Sequence, residues 1–86
     1  MNKHILLVMK WLNDEDSVNQ DELEKNKREA SDDYYVASAT YDTAVRAAYW
    51  AATATTTGAV DAAYWVNIYF KRTGEDRNEY EKELEK

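Results

Sequence analysis

Apolar residues near the start of the chain recur with the spacing of a helix. Residues 3–12 are mostly apolar, and the positions that fall three or four apart are Ile5, Val8, Met9 and Leu12. This is the period of one helix face, although so short a run is also compatible with a buried strand. No partner strand is visible elsewhere in the sequence. We therefore predict a short helix over 3–12.

A long helix is predicted after a polar break at 13–16. Ser17 and Gln20 have the spacing of a capping box, in which the two side chains satisfy backbone N–H groups at a helix start. Farther on, a stripe with 3,4 spacing carries mostly small side chains, which lets a neighbouring helix approach closely. The stripe comprises Ala30, Tyr34, Ala37, Tyr41, Ala44, Ala48 and Ala51. It predicts one helix over 17–55, with a turn or kink where the threonine-rich segment 53–57 meets Gly58.

Two further helices complete the predicted fold. A helix over 59–72 ends before Gly74, which is suited to the left-handed residue that follows a helix. A last, acidic helix over 75–86 is expected to dock through Tyr80 and Leu84. The fold class is therefore all-α, a single domain over 1–86. We expect a small helical bundle built on a long antiparallel hairpin of the helices 17–55 and 59–72, with short N- and C-terminal helices.

Two segments of the chain repeat each other. Residues 44–50 and 59–65 match at an offset of 15 and both end in Ala-Ala-Tyr-Trp. A turn at Gly58 places the two Tyr-Trp pairs on different helices, where they can stack, and Arg46 and Asp61 can pair across the hairpin. The repeat is interpreted as a duplicated Ala-rich helical segment or, alternatively, as a platform for stacking a ligand. The candidates for an aromatic core or an oligomer interface are Tyr34, Tyr41, Tyr49, Trp50, Tyr64 and Trp65.

The composition explains why these aromatic residues matter. Leu, Ile, Val and Phe total only 14 of 86 residues, whereas the chain holds 12 Ala, 7 Tyr and 3 Trp. A domain of this size is close to the limit at which one core suffices. Tyr and Trp must therefore supply much of the buried area, and we expect a homo-oligomer formed through the Tyr and Trp surface that remains.

The charge of the chain is acidic and unevenly placed. The net charge is −6, with nine acidic and three basic residues in 13–33 and six acidic and three basic residues in 75–86. This balance disfavours direct binding to nucleic acid phosphates or to an anionic membrane. The acids either keep the body soluble or bind a basic surface of another protein as a nucleic-acid mimic. The candidate partner-binding residues are Asp14, Asp16, Glu22, Glu29, Asp32, Asp33, Glu75, Asp76, Glu79 and Glu83, of which Glu22, Glu29 and Asp33 share one helical face.

The sequence offers little for catalysis. His4 is the only histidine, and because no carboxylate lies three or four positions away to orient it, we expect a surface or capping role. No phosphate loop, nucleophile elbow or zinc motif is present. The acidic segment 14–16 fails as a calcium loop, since Asn19 stands where glycine is required. With no cysteine, disulfides and thiolate metal sites are excluded. We predict no catalytic residues, no metal, no cofactor and no enzyme activity.

Two segments resemble proteins of a known kind. Residues 62–76 (AAYWVNIYFKRTGED) and residues 11–18 (WLNDEDSV), with Glu22-Leu23 following, resemble small acidic Ala/Tyr-repeat helical proteins of tailed bacteriophages. The threonine-rich segment departs from that pattern. The resemblance implies a protein that acts in the cytoplasm of a host cell by binding and inhibiting a host enzyme or immune complex.

Two functions follow as expectations. The first is a non-enzymatic, phage-type interaction protein whose acidic helix faces bind a host protein with a basic surface and thereby mimic nucleic acid. The alternative is a structural or assembly protein that forms a homo-oligomer through its Ala, Tyr and Trp helix faces. The segment that comes nearest to a signal peptide or a membrane span, residues 5–9, is far too short for either, so we expect a cytoplasmic location.

Overall fold

The computed structural model describes residues 1–36 and 42–86, and every regular element within them is helical. The all-α class is therefore confirmed. The helices are α1 (Lys3–Asn13), α2 (Gln20–Tyr35), α3 (Thr43–Ala54), α4 (Ala59–Thr73) and α5 (Arg77–Leu84), and a short 3-10 turn covers Glu15–Ser17.

The first helix agrees with the prediction from its apolar spacing. Asn2 precedes α1, and its side chain accepts hydrogen bonds from the backbone N–H groups of His4 and Ile5. These two bonds satisfy donors that a helix start otherwise leaves unpaired. The helix ends at Asn13, one residue beyond the predicted range.

The predicted start of α2 at Ser17 is wrong. The helix is capped by Asn19, whose Oδ1 accepts from the backbone N–H of Glu22 at 2.8 Å. The Ser17 hydroxyl instead donates to the carbonyl oxygen of Asp14 at 2.7 Å and closes the 3-10 turn. Between them Val18 is extended and buried. Burying that side chain places the helix start two residues later than the capping-box pattern indicates.

The predicted single helix over 17–55 is also wrong, because α2 ends at Tyr35 and α3 begins at Thr43. Val36 is extended, and the carboxylate of Asp42 accepts from the N–H groups of Ala44 and Val45 at 2.9 and 3.3 Å. Asp at this position is one of the strongest helix starts. The stripe residues Ala37 and Tyr41 lie outside the described residues.

The expected interruption near Gly58 is confirmed. The hydroxyls of Thr55 and Thr56 donate to the carbonyl oxygens of Ala52 and Thr53, at 2.7 and 2.8 Å. Such bonds compete with helix continuation, and α3 ends at Ala54. Gly58 then precedes α4 with φ +152° and ψ 166°, a combination that is essentially confined to glycine.

The other glycine ends α4 as predicted. Gly74 has φ +71°, and its N–H donates to the carbonyl oxygen of Phe70. The predicted acidic helix begins two residues late, at Arg77, because Asp76 serves as its cap. Tyr80 is buried and Leu84 is partly buried, so α5 is docked by the expected pair.

The core is built where α1 meets α3 and α4, with α2 packed against α1 and α3. Alanines dominate the contribution of α3 to this core, whereas α1 and α4 add larger side chains. The buried residues of these three helices include Ile5, Val8, Met9, Ala47, Ala48, Ala51, Ala52, Ala62, Val66 and Tyr69. The small side chains let the helices approach closely. In consequence α1 covers one side of the α3–α4 pair, and Trp50 and Tyr64 remain exposed.

No helix in the described ranges is both long enough and apolar enough to cross a lipid bilayer.

Candidate interaction surface

Six aromatic side chains form a continuous surface feature across α2, α3 and α4, here called the aromatic band. It consists of Tyr35, Tyr34, Tyr49, Trp50, Trp65 and Tyr64, in spatial order. Tyr34 and Tyr49 stack with ring centroids 4.6 Å apart, and Trp50 and Trp65 stack at 5.9 Å with planes inclined by 26°. Edge contacts of 5.0 to 5.2 Å join the remaining neighbours. These separations are typical of favourable aromatic pairs.

The band lies at the surface. Tyr35 is 69% exposed, Tyr64 56% and Trp50 38%, while the other three rings are half-buried. The predicted stacking of the two Tyr-Trp pairs is therefore found, but on the outside of the domain. Tyr41, the remaining predicted member, lies outside the described residues.

The positions of Tyr49 and Trp50 follow from the helix period. Successive residues in a helix are about 100° apart around the axis. Because Ala47, Ala48, Ala51 and Ala52 face the core, the two residues between these pairs point to opposite flanks of α3. Tyr49 accordingly reaches Tyr34 of α2, and Trp50 reaches Trp65 of α4.

A shallow groove runs between α3 and α4 beside the Trp50–Trp65 stack. It encloses about 110 Å³ and is lined by Thr43, Arg46, Ala47, Trp50, Trp65, Ile68 and Arg72. Thr43 and Arg46 lie near Ile68 and Arg72, so the two chain segments pass each other in opposite directions. Both arginines are exposed, and within the described residues neither forms an ion pair.

The predicted ion pair between Arg46 and Asp61 is wrong. Each residue precedes its tryptophan by one helical turn, and the two segments run in opposite directions. Arg46 and Asp61 therefore lie on opposite sides of the tryptophan stack, beyond reach of each other within one chain.

Six of the ten predicted partner-binding acids have partners inside the protein. Asp14 and Asp76 cap helical turns, and Glu83 pairs with Lys86. The other three bind residues of other helices: Glu29 pairs with Lys3, Asp33 contacts His4, and Glu75 accepts from Tyr69 and Tyr80. For Asp16, Glu22, Asp32 and Glu79, the described part of the structure shows no ion pair and no side-chain hydrogen bond.

The acidic face predicted on α2 borders α1. The Glu29 carboxylate lies 3.4 Å from the Lys3 ammonium, and the Asp33 carboxylate lies 3.0 Å from Nε2 of His4. Of the three residues expected to share a free face, only Glu22 remains unpaired. The sequence did not reveal this arrangement, because Asp33 is 29 residues from His4.

His4 is buried, which corrects the expected surface or capping role. The side chain is 3% exposed, and its Nδ1 lies 2.8 Å from Oδ1 of Asn26. The Asn26 amide in turn donates to the His4 carbonyl oxygen at 3.3 Å. Together with Asp33, these contacts give both ring nitrogens an oxygen partner and tie α1 to α2. The orienting carboxylate is Asp33 of α2, not a residue three or four positions from His4 along the chain.

A second polar cluster joins α4, α5 and the N-terminus. The hydroxyls of Tyr69 and Tyr80, both almost fully buried, donate to the two oxygens of Glu75 at 2.6 and 2.5 Å. The backbone N–H of Asn2 donates to the Tyr80 hydroxyl at 2.7 Å. No spacing in the sequence indicated this cluster, which assigns Glu75 a structural contact.

The cluster changes the ionisation of its members. Burial, followed by the bond to Glu75, raises the pKa of the Tyr69 hydroxyl and likewise that of Tyr80. Burial by itself would raise the pKa of Glu75, but the two hydroxyl donors and the positive N-terminus outweigh it and lower that pKa. The carboxylate is thus held in its charged form, which is unfavourable for donating a proton. Among the described residues, no group of three or more His, Asp or Glu side chains could hold a metal ion.

Replacing Asn26 by Leu should lower the free energy of unfolding by about 1–3 kcal/mol, because it leaves buried groups of His4 without partners. Glu29→Gln on the same helix is the control, and the loss of its exposed ion pairs should cost less than about 1 kcal/mol. Urea denaturation followed by circular dichroism measures both. Equal free energies of unfolding for Asn26→Leu and the wild type would show that the buried hydrogen bonds of Asn26 do not stabilise the fold.

The lowered pKa of Glu75 predicts a stability that depends on acid. A carboxyl whose folded pKa is depressed stabilises the fold above its unfolded pKa, and this contribution is lost as the pH falls through the folded value. Between pH 6 and about pH 3, the melting temperature of the wild type should therefore fall more steeply than that of Glu75→Gln. Glu79→Gln, an exposed neighbour without such bonds, should follow the wild type. Parallel curves for the wild type and Glu75→Gln would contradict the assignment.

Comparisons of this chain with protein-family models, with curated proteins and with solved structures find no match. Its function is accordingly inferred from its own side chains and their arrangement.

Proposed function

We propose that this protein is a non-enzymatic assembly protein that pairs with a second copy of itself through the aromatic band. The observation that carries the proposal is a continuous band of six contacting rings, three of them exposed and three half-buried, on the surface of so small a domain. Exposed apolar area that is continuous, rather than scattered, is typical of protein interfaces.

The composition of the surface supports a protein partner. Tyr, Trp and Arg are the residues most enriched among those that dominate binding energy, and the band contains the first two with Arg46 and Arg72 beside it. Rings that already stack on one another also lose little side-chain freedom on binding, which lowers the cost of association.

The small aliphatic core supports a second copy in particular. Only 14 Leu, Ile, Val and Phe residues are available, and the core of α3 is alanine. A standard interface buries about 800 Å² per partner, which is roughly 15% of the 5421 Å² accessible surface of this chain. Pairing would therefore add substantially to the apolar area that the monomer buries.

Removal of an exposed ring should weaken the dimer. Tyr64→Ser deletes an aromatic group at the edge of the band and should raise the dissociation constant about tenfold or more, as interface aromatics commonly do. Tyr64→Phe keeps the ring and should leave the constant within about threefold. Sedimentation equilibrium over a concentration series gives both values. A wild-type chain that stays monomeric throughout the series would refute the assembly function.

A second candidate function is favoured by the acids that have no internal partner. Asp16, Glu22, Asp32 and Glu79 leave carboxylates free in the described part of the chain, and the net charge is −6. These groups would bind a host protein with a basic surface, such as a nucleic-acid channel, as the resemblance to phage proteins implies. Electrostatic steering of this kind is strongly salt-dependent.

Charge reversal tests the second candidate. The variant with Glu22→Lys and Asp32→Lys should lose a bacterial protein that the wild type captures from lysate at low salt, with mass spectrometry as the readout. A control with Glu15→Lys and Glu85→Lys has the same net charge but changes acids outside the predicted set, and it should retain the protein. Capture that survives high salt and the Glu22 and Asp32 reversals would exclude the mimic.

A further inference from the structure

The outer face of α3 and α4 carries opposite charges at its two ends. Arg46 precedes Trp50 by one turn of α3, and Asp61 precedes Trp65 by one turn of α4. The two segments pass each other in opposite directions, and Arg72 lies at the same end of the groove as Arg46. The stacked tryptophans therefore separate a basic end from an acidic end.

These charges have no ionic partner within the described part of the monomer. Arg46, Arg72 and Asp61 are exposed, and in the described residues none of the three forms an ion pair. Arg46 and Asp61 hold the same position in the two repeats, residues 44–50 and 59–65, which otherwise match residue for residue. The one difference between the repeats is thus a reversal of charge on either side of the tryptophan stack.

We infer that two copies pair band to band about a two-fold axis that lies along the aromatic band, so that Arg46 of each copy forms an ion pair with Asp61 of the other. The inference rests on the proposed assembly function and specifies its geometry. An isologous interface repeats every contact twice. Rotation about this axis sets the aromatic bands of the two copies face to face in the centre. It also places the basic end of one copy against the acidic end of its partner.

The competing symmetric arrangement is electrostatically unfavourable. A two-fold axis parallel to the helices would place Arg46 and Arg72 of one copy against the same arginines of the other. Like charges brought together at an interface oppose association, and complementary charges fix its register. The placement of Arg46 and Asp61 on opposite sides of the stack favours the first arrangement.

Charge exchange between two variants tests the register. Arg46→Asp alone sets an acidic side chain opposite Asp61 of the partner in both pairs, and Asp61→Arg alone sets an arginine opposite Arg46 of the partner in both pairs. Each should weaken its homodimer about tenfold, because two attractive pairs become repulsive. A mixture of the two variants restores both pairs in reversed form, so a heterodimer of about wild-type affinity should form. Native mass spectrometry identifies the heterodimer, and sedimentation equilibrium gives the dissociation constants.

Matched variants control for net charge and folding. Lys82→Asp and Glu79→Arg alter the charge by the same amounts on α5 and should leave the dimer unchanged. Circular dichroism verifies the helix content of each variant. If Asp61→Arg disturbs the start of α4, Asp61→Asn introduced into the Arg46→Asp chain removes the repulsion and should recover part of the lost affinity.

The outcomes separate the inference from the function on which it rests. A dimer that is weakened by Tyr64→Ser but is unaffected by either charge variant would overturn the register alone. The same holds if both charge variants weaken the dimer but their mixture forms no heterodimer. A chain that is monomeric at every concentration would overturn both proposals. A heterodimer of about wild-type affinity in the mixture, together with unchanged dissociation constants for the control variants, supports the inferred pairing.

Discussion

Close packing against alanine is the constraint on which the rest of this structure depends. Where α1 meets α3 and α4, the contribution of α3 is Ala47, Ala48, Ala51 and Ala52. Small side chains bring helix axes together and leave no room between them for large rings. Tyr49 and Trp50 are consequently displaced to the flanks of α3, where they meet the rings of α2 and α4. The exposed aromatic surface is thus a direct result of how the core is filled.

Hydrogen bonds and an ion pair at the N-terminus add to the helix contacts that the small apolar core provides. Three consecutive residues connect the start of α1 to two other helices: the backbone N–H of Asn2 donates to the Tyr80 hydroxyl of α5, Lys3 pairs with Glu29 of α2, and His4 bonds Asn26 and Asp33 of α2. Apolar contacts are not directional, whereas hydrogen bonds require specific distances and angles. These bonds therefore help to fix the orientation of α2 and α5 relative to α1.

The parts of the fold that depend on neighbouring residues could be predicted from the sequence. The apolar spacing of α1, the conformational needs of Gly58 and Gly74, and the docking of α5 through Tyr80 are local properties. The end of α2 at Tyr35 and the start of α3 at Thr43 differ from the prediction, because the heptad stripe of small residues favours a continuous helix even though Asp42 is a strong helix cap. The contacts of His4 and Glu75 could not be predicted for a different reason. Their partners are brought together only by the packing of separate helices.

The distribution of acids shows why net charge is a weak guide to a binding surface in this protein. The sum of −6 counts Asp14 and Asp76, which cap helical turns, and Glu75, which two tyrosine hydroxyls hold. A carboxylate already bonded within the fold must give up those bonds before it can bind a partner, and that loss offsets most of the gain. Charges without such bonds are the better indicators of recognition. Arg46 and Asp61 have no ion pair within the described residues and flank the Trp50–Trp65 stack, so they are stronger evidence for an interface than the bonded acids of α2 and α5.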